Sequence, residues 1–118
     1  FGWGAATFPL IFLSQYGEWK GHPHNLFLEL SVSYGLVNSI LVFTFIGILL
    51  YKTQIVISNN LISKDFYIRS WWTSVIVFLI LHSFDILYFD LRISVFFWIL
   101  LAGLKGMLNN KEIYPTNN

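Results

Sequence analysis

Residues 26–51, LFLELSVSYGLVNSILVFTFIGILLY, hold a single charged side chain, Glu29. Crossing ~30 Å of hydrocarbon at ~1.5 Å per residue takes roughly 20 helical residues, so this run is long enough to be a transmembrane helix. The composition points the same way. Of 118 residues, 56% are hydrophobic, 19% aromatic and 11% charged, against roughly 25% charged in an average soluble domain. The expected class is an all-α, polytopic integral membrane protein. A net charge of +1 supplies no basic surface to neutralise many phosphates, so nucleic acid is not an expected partner. With no cysteine, disulfides, thiolate metal sites and a cysteine nucleophile are all excluded.

Two further apolar runs follow, 71–88 (WWTSVIVFLILHSFDILY) and 93–108 (ISVFFWILLAGLKGML), giving three expected spans. The first residues, FGWGAATFPLIFL, are short and interrupted by Gly2, Gly4 and Pro9, which suits an interfacial or loop segment. A start at Phe1, without the basic front of a signal peptide, suggests a piece of a longer chain. Lys52, Lys64, Arg69, Lys105 and Lys111 fall on one side of the spans, and Lys20 and Arg92 on the other. By the excess of basic residues in cytoplasmic loops, 52–70 and the tail 109–118 are expected inside. Residues 1–25 and the short 89–92 turn are then expected outside, so the polar residues at both outer junctions belong to one membrane surface.

The first of these clusters is GHPHNLFLEL, residues 21–30. Pro23 suits the first position of a helix, because its missing N–H would be an orphan there and its φ is already helical. His24 and Asn25 would then occupy a first turn whose free N–H groups and dipole attract a phosphate. Glu29, four residues beyond Asn25, shares its helical face. Histidine and asparagine at a membrane interface also occur as solvated caps. Glu29 argues for more, since a carboxylate inside an apolar run costs roughly 2.5–3.5 kcal/mol and such groups face a bundle interior or a wet cavity. His22, His24 and Glu29 make only a weak metal set, because His-x-His spacing is unspecific and no fourth ligand is fixed; no metal or other cofactor is expected.

The second cluster is LHSFDILYFDLRIS, residues 81–94. His82 and Asp85 are three apart and positioned to pair, while Asp90 and Arg92 occupy the turn, where an ion pair is worth ~0–1 kcal/mol. Trp71 and Trp72, after Arg69, read as an interfacial belt, Phe96, Phe97 and Trp98 as packing or lipid contacts, and Gly103 and Gly106 as close helix packing. No phosphate loop, nucleophile elbow or Ser-His-Asp order is present.

The stretch GHPHNLFLELSVSYGL resembles the His-Asn…Leu-Glu…Gly pattern of the O-antigen ligase and polymerase superfamily, and DILYFDLRISVFFWILLAGL is similar to that family's C-terminal end. FGWGAATFP likewise resembles the end of its large periplasmic loop. The resemblance implies a C-terminal fragment of a multi-pass glycosyltransferase of the bacterial inner membrane, a GT-C-like helical bundle with its active site on the periplasmic face. Such enzymes move a glycan, without a metal, from an undecaprenyl-diphosphate carrier onto lipid A core or a growing polysaccharide. His24 matches the family's functional loop histidine, and Asn25, Leu28, Glu29 and Gly35 complete the pattern. Together with the two polar clusters, this makes His22, Asn25, Glu29, Asp85, Asp90 and Arg92 the expected substrate contacts. The arginines of the family's earlier loops have no counterpart here, and Arg92 is the candidate cation.

A transporter is the competing expectation, because membrane histidines and carboxylates also mark ion pathways. A transporter concentrates ionisable groups near the bilayer midplane. Here His22, His24, Asp90 and Arg92 crowd one rim in the sequence-derived topology.

Overall fold

The computed structural model describes residues 2–58, 66–85 and 91–109. These form five helices with no strand among the described residues: α1 (Phe8–Tyr16), α2 (Leu26–Tyr34), α3 (Leu36–Ser58), α4 (Phe66–Phe84) and α5 (Leu91–Asn109). The all-α expectation holds.

Pro9 does not break the first segment. It sits in the first turn of α1, where a missing N–H costs nothing, and Gly17, at φ 71, closes the helix by donating its N–H to the Leu13 carbonyl. The expected span over 26–51 is likewise not one helix. Gly35 divides it, with φ 93 and ψ 154, a conformation essentially reserved for glycine. A break in an apolar run leaves carbonyls that water does not reach, and the chain provides for them. Trp3 and Gly4 donate their backbone N–H groups to the Val32 and Ser33 carbonyls at 2.7 and 3.0 Å, and Asn38 Nδ2 donates to the Tyr34 carbonyl at 2.7 Å. Gly2 allows this approach: a Cβ there would lie 2.5 Å from the Gly35 nitrogen and the Ser33 oxygen.

Two helices, α3 and α5, are long and apolar enough to cross a membrane. A core helix of a soluble protein passes the same test but is mostly buried, whereas only 22% of each of these windows is buried. Their outward faces carry Val37, Leu41, Phe45, Ile48, Phe96 and Ile99, all exposed. These faces point to association with a membrane. α4 does not reach the same apolarity.

The buried seam joins these three helices. Ile46 and Leu49 of α3, Val75 of α4, and Phe97, Leu100, Leu101 and Leu104 of α5 form one apolar cluster. The two tryptophans expected in an interfacial belt instead tie α4 to its neighbours. Trp71 Nε1 donates to the Leu100 carbonyl at 2.7 Å and Trp72 Nε1 to the Leu50 carbonyl at 3.1 Å. Half-buried indole N–H groups need such partners. Gly103 makes room for Trp71, whose ring lies 2.5 Å from where a Cβ would be, so this glycine serves close packing as expected; Gly106 has open space around it.

α3 continues through Lys52 to Ser58, so the expected 52–70 loop is helical at both ends, from α3 and from α4. Residues 59–65, 86–90 and 110–118 lie outside the described residues, and with them Asp90, half of the expected 89–92 turn and all of the expected tail but Asn109.

Candidate active site

The site forms where the start of α2 meets the end of α4. The helix does not begin at Pro23, as its residue type suggests. Asn25 is the cap, extended at φ −153 and ψ 123, and its Oδ1 accepts from the Leu28 N–H at 3.1 Å. An asparagine oxygen satisfies an N–H that Pro23 would leave orphaned, and this decides the boundary. His24 therefore precedes the helix. Its φ of 52 lies in the left-handed region, which histidine enters more readily than most residues but at some cost in strain. The reversal brings the His22 and His24 rings to 4.2 Å between centroids, inclined at 60°.

Asn25 has a second role. Its Nδ2 donates to the Ser83 carbonyl at 3.1 Å, fastening the start of α2 to the last turn of α4. Two residues further on, Asp85 follows the end of α4, its N–H bonded to the Leu81 carbonyl. Its Oδ1 lies 3.2 Å from His24 Nδ1, with both side chains well exposed. Residues 61 apart in sequence thus form a His-Asp pair, and donor atoms of His22, His24 and Asp85 lie within 4.8 Å of one another.

The pair has a chemical consequence. A carboxylate at Nδ1 favours the tautomer with the proton on that nitrogen, which leaves Nε2 as a base, as in Asp-His arrangements elsewhere. The first turn of α2 adds the positive end of a helix dipole beside this base.

Other expected site residues are placed differently. Glu29 is on α2 but not in the His-Asp group. It is 4% exposed, and Ser33 Oγ donates to its Oε1 at 2.6 Å, while its Oε2 is buried without a hydrogen-bond partner among the described residues. The i, i+4 spacing of Glu29 and Ser33 makes this contact legible in the sequence. His82 does not pair with Asp85. It is 1% exposed, its Nδ1 bonds to the Phe78 carbonyl at 2.8 Å, and its ring stacks on Phe78, which in turn stacks on Phe97. Arg92 lies exposed in the first turn of α5. Lys20 places its Nζ 5.0 Å from the centre of the Phe12 ring.

Immediately after Asn25, an apolar cavity of about 380 Å³ opens between α2, α3 and α5, lined by Leu26, Leu30, Val42, Ile46, Phe97 and Trp98 among others. Comparison of the chain with family models, curated proteins and solved structures finds no match.

Proposed function

We propose that this chain is the C-terminal part of a membrane glycosyltransferase that moves a glycan from undecaprenyl diphosphate to lipid A core or a growing polysaccharide, in the manner of O-antigen ligases and polymerases. The observation that carries this reading is the His24–Asp85 pair, 3.2 Å between Nδ1 and Oδ1. Its histidine is the one the sequence resemblance marks, and its carboxylate follows α4, 61 residues further on. In this reading α3, α4 and α5 are three spans of the bacterial inner membrane, and the His-Asp site faces the periplasm, as the Lys and Arg distribution favours.

The chemistry is that of a base-assisted glycosyl transfer. His24 Nε2 takes the proton of the acceptor hydroxyl as its oxygen attacks the anomeric carbon. The bond from that carbon to the diphosphate breaks, and undecaprenyl diphosphate leaves with the electron pair. Histidine is the side chain most often positioned for such proton transfer. Asp85 orients the ring and stabilises the imidazolium formed. His22, Arg92, Asp90 and the N–H groups opening α2 are the donors and charges available to the sugar and the diphosphate. Glu29 supports the same helix from within, through Ser33. The apolar cavity beginning at Leu26 suits a polyisoprenyl tail entering from the bilayer beside the site.

The direct test is complementation with the full-length protein in a strain lacking its own ligase. Lipid A bearing polysaccharide on a gel supports the ligase form. Longer carrier-linked chains support the polymerase form. Restored solute uptake with neither product supports a transporter instead.

A further inference from the structure

The group formed by His22, His24 and Asp85 offers more than a base. Two imidazoles and one carboxylate form the borderline donor set that zinc-class cations prefer, whereas magnesium and calcium take oxygen ligands. Three protein ligands with an open side is the arrangement of an exchangeable zinc site, not a closed structural one. Donors bound at about 2.0–2.1 Å to one tetrahedral ion lie about 3.3 Å apart. The His24 and Asp85 donor atoms are already 3.2 Å apart, and all three donors fall within 4.8 Å, so small ring rotations complete the set. The backbone holds these groups together. The left-handed turn at His24 faces the two rings toward each other, and the Asn25 bond to Ser83 fixes the α4 end that presents Asp85.

The geometry points to a site for a zinc-class divalent cation at His22, His24 and Asp85, whose occupation withdraws the His24 imidazole and shuts the site. Glu29, the ligand suggested by sequence, is not one of the set, since its carboxylate is buried against Ser33. The inhibitory consequence rests on the transfer reading above. Binding itself does not, and the experiment reads binding alone.

Full-length protein in detergent is titrated with Co²⁺ as a spectroscopic probe and then with Zn²⁺ as competitor. The wild-type chain is expected to give visible cobalt bands that saturate at a single ion and are displaced by Zn²⁺. His22→Ala, His24→Ala and Asp85→Asn should each weaken binding by about 10- to 100-fold or more, the range seen even for indirect supporting groups. Asp85→Cys guards against loss of signal through misfolding, because a bound thiolate adds a sulfur-to-cobalt band in the near ultraviolet that the wild type lacks. Absence of saturable cobalt bands in the wild type overturns the site. So do bands unaltered by all three substitutions, or an Asp85→Cys spectrum without the new band in protein that elutes as the wild type does.

Discussion

Asn25 and Ser83 lie 58 residues apart in sequence, yet Asn25 Nδ2 donates to the Ser83 carbonyl at 3.1 Å while Asn25 Oδ1 caps α2 through the Leu28 N–H. One side chain thus starts one helix and holds it to the end of another. His24 and Asp85 flank that junction. The two halves of this role are separable by substitution. Asn25→Asp keeps the capping oxygen and loses the donor, whereas Asn25→Ala loses both.

For Asn25→Ala the loss of the cap alone should cost about 0.5–2 kcal/mol, and the lost bond to α4 adds about 0.5–1.5 kcal/mol. Asn25→Asp should fall between wild type and alanine in thermal stability in detergent, with the His-Asp pair loosened in both. A melting temperature of Asn25→Asp equal to that of the wild type would show that the Ser83 contact contributes nothing, and equal values for the two variants that the cap contributes nothing.

Gly35→Ala should destabilise by about 1–3 kcal/mol, because its φ of 93 with ψ 154 excludes a Cβ. Gly2→Ala should act on the same place from the other side by pushing Trp3 and Gly4 away from the Val32 and Ser33 carbonyls. Proteolysis of detergent-solubilised protein measures this. Cleavage in both variants is expected to increase near the α2–α3 break, and unaltered digestion of both contradicts the account of that break.

Trp71→Phe keeps the ring against Gly103 and removes the N–H that meets the Leu100 carbonyl. The Leu100 carbonyl, inside α5, then loses its second donor, at about 0.5–1.5 kcal/mol. Gly103→Val should do more harm, since its side chain would occupy the space of the indole. Ranking the two variants by thermal unfolding checks the packing of α4 on α5, with Gly103→Val expected to melt lower.

Membrane orientation is checked by single cysteines at His22 and Asn60, labelled with an impermeant thiol reagent in spheroplasts. The expected result is labelling at position 22 and protection at position 60, and the reverse pattern contradicts the periplasmic assignment of the site.

How much of this was legible before the structure follows from particular residues. α3 and α5 announce themselves through length and apolarity, which are local properties. The break at Gly35 does not, because an apolar run on both sides masks a glycine whose purpose lies in its backbone angles and in the approach of Gly2, 33 residues earlier. His24 and Asp85 each stood out as polar groups near an apolar run. Their pairing was not legible, since nothing local links positions 61 apart. For Asp85 the local partner, His82, was expected, but its ring turns inward to stack on Phe78. Glu29 is buried, as a carboxylate in an apolar run is expected to be, and its partner Ser33 stands one turn further along α2. Arg69 beside Trp71 and Trp72 points to an interface, whereas their indole N–H groups are taken by carbonyls of other helices.

If catalysis needs no metal, transfer by the full-length protein persists in EDTA. Loss of transfer in EDTA, restored by Mg²⁺ or Mn²⁺, contradicts the metal-free mechanism and reassigns His22 and His24 as ligands of a required ion.

The most direct measurement of the central claim is the rate of glycan transfer from undecaprenyl-diphosphate donor by His24→Ala in the full-length chain, normalised to the amount of protein in the membrane. General-base catalysis is worth about 10²- to 10⁴-fold, so transfer should fall by that order while the protein remains inserted and folded. Asp85→Asn, which keeps the shape of the His24 partner and removes its charge, should lose less. Near-wild-type transfer by His24→Ala at equal protein level would contradict the account and leave His24 as a solvated residue ahead of the α2 cap.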